Sequence, residues 1–238
     1  DQCYDPYCSL LIDGCLENGK DMLQGGSECP MHWSVYAYGI GTVADSLCAV
    51  KKFIFDEKKI TMEEMYDALQ KNFEGYEEMQ AMLLKETPSY GNGIDEVDDI
   101  ANDVLSHFNE AVMDLNKKAK TDKFVSTLFG YFFHIYHGEI AGATPDGRMK
   151  GEAFSDSMGP SQGRDEQGPT RLLNSVLHLN DDLVTGGYAL NFKINPSFLN
   201  EEKGEKAIEQ LLKAYIENGG PQVQIYTTNM EDLKDAQI

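Results

Sequence analysis

Two histidines at the end of an apolar, aromatic segment are the most direct candidates for proton chemistry in this chain. His134 and His137 lie three residues apart, just before Gly138. An imidazole can hydrogen-bond a hydroxyl or a carboxylate and exchanges protons near neutral pH. On a helix the pair could bind a metal ion, but on a strand residues i and i+3 face opposite sides. Residues 124–136 are rich in β-forming side chains, which predicts one or two buried strands and no metal site.

The cysteines offer thiols but no metal pattern. All five lie in the first fifth of the chain, and their spacings lack the close pairs typical of zinc sites: Cys3, Cys8, Cys15, Cys29 and Cys48. Their number is odd, and the chain is too long for a small disulfide-bonded scaffold. We therefore expect free thiols in a reducing cytoplasm.

Composition excludes two classes of partner. The chain has 238 residues and a formal net charge of −20 at pH 7, so binding to nucleic acid is not expected, because such binding depends on Lys and Arg. The apolar runs are far shorter than the roughly 20 residues that span a bilayer, and we see no signal peptide, so no membrane partner is expected. These features predict a cytoplasmic protein.

The elements that must position these side chains alternate between helix and strand, which indicates an α/β protein. The run at 25–41 predicts a loop entering a strand, and residues 188–194 and 222–226 alternate as strands do. Thr61 and Glu64 fit a capping box. The predicted helices cover residues 8–18, 42–55, 61–71, 76–85, 95–118, 169–176 and 201–218, with another starting near residue 230.

Two helices carry an apolar stripe at the helical period, and we expect both stripes to face the core. In the helix at 42–55 the stripe consists of Val43, Leu47, Val50 and Ile54. In the helix at 95–118 it consists of Ile100, Val104, Phe108, Val112 and Leu115.

Between these elements lies a long loop, residues 138–170, with seven glycines and three prolines. Glycine reaches positive φ and proline fixes φ, so the composition favours an ordered loop held by backbone geometry. Asp146 can cap the turn that Pro145 starts, and Arg148 can pair with Asp156 or with a backbone carbonyl. We expect these polar side chains to hold the loop rather than to react.

Five blocks of sequence, in order, resemble the glycyl radical enzymes. They are GKDMLQGG with GIGTVADSLCAVKKFIFDEKKIT, then YGNGIDEVDDIA, ATPDGR with GEAFSDSMGPSQG, QVQIY, and LKDAQ. The family includes formate acetyltransferases, choline trimethylamine-lyases, diol dehydratases and arylacetate decarboxylases. Its fold is a ten-stranded α/β barrel made of two parallel five-stranded halves. The resemblance implies that residues 1–238 form part of that barrel domain.

The resemblance also implies a reaction that needs a radical glycine and a cysteine that becomes a thiyl radical. Leu233, Asp235, Ala236 and Gln237 match the block that precedes the radical loop, so we expect the glycyl radical domain beyond residue 238. Gly14-Cys15-Leu16-Glu17 spells the cysteine pattern, but its place before the GTVADSL run is that of a later, non-catalytic helix. We therefore reject Cys15 as catalytic and expect an internal fragment that lacks both loops.

What remains of the site is its substrate pocket. By the family's register, Tyr38 lies where an aryl-acid member has a substrate-contacting carboxylate, and Tyr36 shares its face if the segment is a strand. His32 could belong to the same wall. His137 matches a position where other members carry Tyr or Phe near the substrate. Packing in the core is the alternative role for each of these four residues.

The resemblance implies an oxygen-sensitive lyase, dehydratase or decarboxylase that cleaves a C–O, C–N, C–S or C–C bond of a small polar substrate. It implies no bound cofactor, a radical installed by a separate radical-SAM activase, a homodimer, and an anaerobic bacterium as source. Three alternatives stay open. They are a formate acetyltransferase acting on a 2-oxo acid and coenzyme A, a non-catalytic barrel-like binding protein, and a metal-dependent hydrolase using His134 and His137.

Overall fold

The computed structural model describes residues 4–29, 32–121, 123–199, 202–220, 222–227 and 234. The helices are α1 Pro6–Ser9, α2 Cys15–Asn18, α3 Ile40–Val50, α4 Met62–Gln70, α5 Glu77–Glu86, α6 Asp95–Ala119, α7 Phe133–Ile140, α8 Pro169–His178, α9 Pro196–Leu199 and α10 Glu202–Glu217. The strands are β1 Trp33–Tyr36, β2 Phe124–Thr127, β3 Ala189–Ile194 and β4 Gln222–Thr227. Apart from residue 234, the helix predicted from residue 230 onward lies outside this description.

The four strands found among the described residues form two parallel pairs, β1 with β2 and β3 with β4. β1 pairs with β2 from Trp33 opposite Phe124, and β3 pairs with β4 from Ala189 opposite Gln222. A bridge between Leu128 and Tyr188 joins the two pairs at the point where β2 ends and β3 begins. β3 therefore begins where β2 ends, and a stagger of this kind curves a parallel sheet toward a barrel.

Helices cover one face of this sheet. Leu190, Phe192 and Ile194 of β3 are buried in one cluster with residues of α3, α6 and α8, and with Tyr215 of α10. A second cluster lies between α3, α4 and α5 around Phe53. Side chains alternate along a strand, so Asn191 and Lys193 lie on the opposite face of the sheet. That second face carries the candidate site.

Local sequence rules set several boundaries as predicted. Thr61 Oγ1 accepts a hydrogen bond from the Glu64 amide at 3.1 Å, and the Glu64 carboxylate accepts from the Thr61 amide at 2.7 Å, which completes the capping box of α4. Pro169 occupies the first turn of α8, where a missing amide hydrogen costs nothing. The helices predicted at 76–85, 95–118 and 201–218 and the strands predicted at 188–194 and 222–226 are also present.

The prediction of one helix at residues 8–18 is wrong, because two short helices, α1 and α2, occupy this region. Gly14 between them has φ +90°, a conformation that ends a right-handed helix. A Cβ at Gly14 would also lie 2.7 Å from the Glu28 amide nitrogen, so the chain passes too close for another side chain.

Both predicted core stripes are shifted. Val43 and Leu47 of α3 are 43% and 45% exposed, and the buried face instead holds Ala44, Cys48 and other small residues. Hydropathy scales give small residues low scores, although such residues let a helix pack closely against its neighbours. In α6 the most buried line consists of Val97, Ala101, Leu105 and Val112; Ile100, Val104 and Phe108 pack at its side, and Leu115 is 40% exposed.

The segment at 124–136 is a strand only at its start. β2 ends at Thr127, and α7 begins at Phe133, so both histidines lie on a helix and not on a strand. Tertiary contacts fix this choice, because the Phe154 amide donates to the His134 carbonyl at 3.1 Å and Gly138 packs on the backbone of Ala153. Among the described residues, no helix is both long and apolar enough to cross a membrane.

Candidate functional site

Tyr38 and His137 form a polar pair on the face of the sheet opposite the helical core. Tyr38 follows the carboxyl end of β1 by two residues, and His137 lies on the second turn of α7, which follows β2. The Tyr38 hydroxyl hydrogen-bonds the imidazole Nδ1, and the two rings stack with centroids 5.5 Å apart. Both side chains are half-buried. Two residues separated by 99 positions thus meet where parallel α/β sheets place their ligands, at the carboxyl ends of the strands.

Aromatic side chains beside Tyr38 and His137 extend this pair into a wall on the same side of the sheet. The Tyr36 ring meets Tyr131 edge-on at 6.1 Å, and Phe133 stacks near His137 at 6.0 Å. Tyr36, Tyr131 and Phe133 are 46%, 60% and 40% exposed. Parallel sheets are normally covered on both faces, so these exposed rings mark a surface that faces further structure or a ligand.

His32 does not join this wall. It precedes β1 and lines a separate surface cavity with Ser34 and with Asn116 near the end of α6. That cavity lies at the amino end of β1, whereas Tyr36 and Tyr38 lie at its carboxyl end. The structure therefore brings together Tyr38 and His137, places Tyr36 nearby, and separates His32 from them.

Arg148 holds the loop that follows α7. Its guanidinium is buried and donates to the carbonyls of Met149 at 3.0 Å and Glu152 at 2.6 Å, and also to that of Gly142. The ring of Phe154 lies 4.1 Å from the guanidinium carbon. Burial lowers the pKa of Arg148 from its ordinary value. The predicted pairing with a backbone carbonyl is confirmed, and the partner is not Asp156.

Other loop side chains attach the loop to neighbouring helices. Buried Asp146 accepts from the hydroxyls of Thr144 at 2.6 Å and Ser46 at 3.2 Å, the latter on α3. Ser155 exchanges two hydrogen bonds with Thr42 of α3, at 3.1 and 2.9 Å. The loop is thus an ordered brace whose polar groups bind the protein itself, as predicted.

A second polar cluster on this face was not predicted. The Asp156 carboxylate accepts from Ser157 Oγ at 2.9 Å and from the Asn191 side-chain amide, and it lies 3.4 Å from His134 Nδ1. His134, Asp156 and Asn191 come from α7, the loop and β3. No local pattern links them, so only the fold could reveal the cluster.

The thiols and the histidine pair supply no metal centre in the part of the chain that the structure describes. Cys8, Cys15, Cys29 and Cys48 are free, and Cys15 is buried at the start of α2. Across those same described residues, no three His, Cys, Asp or Glu side chains are grouped as metal ligands. His134 and His137 instead contact Asp156 and Tyr38, respectively.

Comparison with known proteins places this chain in a family. Residues 1–138 match the family model of pyruvate formate lyase-like proteins, and residues 154–238 match the model described as glycine radical. Trans-4-hydroxy-L-proline dehydratase of Clostridioides difficile is 35% identical over 98% of this chain and 29% of its own length. Isethionate sulfite-lyase of Bilophila wadsworthia is 32% identical over 98% of this chain and 28% of its length.

Solved structures agree with the sequence comparison. The glycerol-bound B12-independent glycerol dehydratase from Clostridium butyricum superposes with a TM-score of 0.86 at 34% identity, over 99% of this chain and 30% of that one. The chain therefore spans less than a third of the length of these relatives. It belongs to the pyruvate formate lyase-like family of glycyl radical enzymes, and its predicted fold, part of their α/β barrel, is confirmed.

Proposed function

We propose that this member of the pyruvate formate lyase-like family is a portion of an oxygen-sensitive glycyl radical lyase, dehydratase or decarboxylase. The complete enzyme would cleave a C–O, C–N, C–S or C–C bond of a small polar substrate through a thiyl radical. The observation that carries the proposal is the match of residues 154–238 to the glycine radical model, next to the lyase-like match of residues 1–138. The relatives with which the chain aligns include dehydratases, sulfite-lyases and a decarboxylase, which favours this branch over a formate acetyltransferase.

In this proposal the residues of the chain bind and orient the substrate. No residue of this chain is proposed as the radical glycine or as the thiyl cysteine, and Cys15 is proposed to be a buried structural thiol. A glycyl radical supplies hydrogen-atom abstraction through the cysteine. The wall at the carboxyl ends of β1 and β2 would hold the molecule from which that hydrogen is taken.

Tyr38 and His137 are the proposed substrate-binding pair. If the Tyr38 hydroxyl donates to His137 Nδ1, the neutral imidazole carries its proton on Nε2. The pair then offers one N–H donor and the phenol oxygen as an acceptor, with no net charge. Such a wall suits a neutral or weakly acidic polar group better than a cation. Tyr36 would close the wall by packing, and His32 has no place in it.

The proposal extends to activation and assembly. A separate radical-SAM activase would install the radical on a glycine of the complete protein, so no bound cofactor is required. We propose a homodimer in the cytoplasm of an anaerobic bacterium.

The experiment is activation of the full protein under anaerobic conditions with a radical-SAM activase, S-adenosylmethionine and a reductant. We expect a doublet in the electron paramagnetic resonance spectrum, and cleavage of the chain near its carboxyl terminus when oxygen is admitted. Omitting the activase is the matched control and should give neither. Absence of the doublet, with an activase that works on a known partner, would contradict the proposal.

A further inference from the structure

A polar cavity of about 350 Å³ lies between the connection from α5 to α6 and the segment that leads into α8. Its size suits a small molecule. It shares no lining residue with the Tyr38–His137 wall or with the cluster of His134 and Asp156. The polar residues that line it are Lys85, Thr87, Ser89, Asn92, Arg164, Glu166, Gln167 and Arg171.

This cavity concentrates positive charge in an acidic protein. The chain has 20 Lys and Arg against 40 Asp and Glu, yet two of its three arginines, Arg164 and Arg171, line the cavity together with Lys85. None of these three cations forms an ion pair with a carboxylate of the described residues. The described lining holds a single carboxylate, that of the exposed Glu166. Three cations and one carboxylate leave an excess of two positive charges, which attracts an anion.

Arg164 is held in place by its backbone and by one side of its guanidinium. Its amide donates to the Ser161 carbonyl at 3.0 Å, and its carbonyl accepts from the Asn92 side-chain amide at 2.7 Å. Its Nε donates to Ser89 Oγ at 3.0 Å. The Nη2 atom is buried and has no hydrogen-bond partner. A buried charged donor without an acceptor costs free energy, so this end of the guanidinium gains from an incoming acceptor.

The uncharged lining supplies one more unfilled position. Thr87 is 7% exposed, and its Oγ1 atom is buried without a partner. Ser89 Oγ donates to the Thr87 carbonyl at 3.2 Å, and Asn92 Oδ1 accepts from the Gln167 backbone amide at 3.0 Å. Those two side chains therefore hold the cavity together rather than wait for a ligand. A threonine hydroxyl can donate, so both unfilled atoms can bind an acceptor.

The charge and the donors of the cavity select the chemistry of its ligand. A phosphate group carries close to two negative charges at neutral pH and three acceptor oxygens, which match the excess of two positive charges. The planar donors of arginine also fit phosphate oxygens in pairs. A carboxylate brings one charge and would leave one cation unbalanced. A cationic ligand would be repelled.

We propose that Arg164, Arg171 and Thr87 form a binding site for a phosphate group, either of a small phosphate ester or of inorganic phosphate, with Lys85 at its rim. Ser89 and Asn92 are positioning residues, because they act by holding Arg164. This site goes beyond the proposed function and does not depend on radical chemistry, since none of its residues belongs to the Tyr38–His137 wall.

The test is binding to the full protein before activation, in a phosphate-free buffer at about pH 7.5, where a phosphate ester is dianionic. The probes are methyl phosphate, inorganic phosphate and acetate. Calorimetric titrations should show saturable binding of a phosphate probe and at least tenfold weaker binding of acetate. Methyl phosphate binding at least fivefold tighter than inorganic phosphate would assign the site to an ester, and the reverse or equal affinity would assign it to the free anion.

Two arginine variants and one lysine control make the test specific. Arg164→Gln should weaken phosphate binding at least tenfold, the usual worth of a hydrogen bond to a charged group. Arg171→Gln should weaken it at least threefold without a change in melting temperature, because Arg171 is exposed, so misfolding cannot explain the loss. Lys118→Gln removes an exposed cation outside the cavity, and phosphate binding should stay within twofold.

Three results would overturn the site: no saturable binding of either phosphate probe, acetate binding as tightly as phosphate, or unchanged affinity in both arginine variants. An equal loss in Lys118→Gln would also overturn it, because attraction to overall charge would then explain the binding. The unactivated protein carries no radical, so these titrations are independent of the resonance doublet. A protein that gives the doublet but fails the titrations refutes this site alone.

Discussion

Replacing Arg148 by Lys should open the loop that follows His137 while leaving the rest of the barrel segment folded. The guanidinium donates to the carbonyls of Gly142, Met149 and Glu152 and to Thr144 Oγ1, all from a buried position. Lysine keeps the charge but has only three donors on one atom and no planar fork, so it cannot reach acceptors on several sides at once, and we expect it to lose two of these bonds. Each buried bond to a charged group is worth about 1.5 kcal/mol or more, which gives about 3 kcal/mol for the pair.

That loss corresponds to an increase of about a hundredfold in local opening of the loop. Hydrogen exchange followed by mass spectrometry measures this opening at the amides of Gly151 and Phe154. The hydrogen bonds of these two amides, each 3.1 Å long, connect the loop to α7. Exchange there should accelerate about a hundredfold in Arg148→Lys. In Lys150→Ala, an exposed neighbour, it should change less than threefold. A change below threefold in Arg148→Lys would refute the view that this one side chain braces the loop.

Three further changes have defined outcomes in the full protein. His137→Phe should raise KM about tenfold and leave the melting temperature within about 2 °C of the parent protein. A variant whose folding is lost together with its substrate binding would show that His137 serves packing alone. Burial raises the pKa of the Asp45 carboxyl to about 8, above its unfolded value near 4. The folded state therefore holds the extra proton, and stability falls as pH rises from 4 to 8; Asp45→Asn should flatten that slope in melts at pH 5 and pH 8. Gly138→Ala should lower the melting temperature by several degrees, since its Cβ would lie 2.8 Å from Ala153 Cα, and an unchanged melt would contradict this packing.

The sequence predicts best where local chemistry decides. The capping box at Thr61, the proline that opens α8 and the charge-biased α6 all follow from rules that act within one or two turns. The carbonyl-binding role of Arg148 also follows from its setting in a glycine-rich loop. These features need no knowledge of distant parts of the chain.

Prediction fails where long-range packing overrides local preference. Residues 133–140 are aromatic and β-prone, yet they form α7, because Gly138 fits against Ala153 and the loop backbone bonds to the helix. The core face of α3 consists of small residues, which hydropathy undervalues. The cluster of His134, Asp156 and Asn191 joins three elements and has no local signature.

The candidate wall lies between these extremes. Family register identified Tyr38 and His137 separately, and the fold brings them into contact across 99 residues. Nearness in sequence alone groups His32 with them, and β1 places it at the opposite end of that strand. Sequence position near a pocket residue is therefore a weak guide when a strand separates the two.

A crystal structure of the full protein with its substrate bound would test the central claim most directly. We predict that a polar atom of the substrate lies within 3.2 Å, the usual hydrogen-bond limit, of Tyr38 Oη or His137 Nε2. The substrate should lie at the carboxyl ends of β1 and β2, on the face of the sheet opposite the helical core. A structure in which both side chains contact only protein, with the substrate bound elsewhere, would contradict the account.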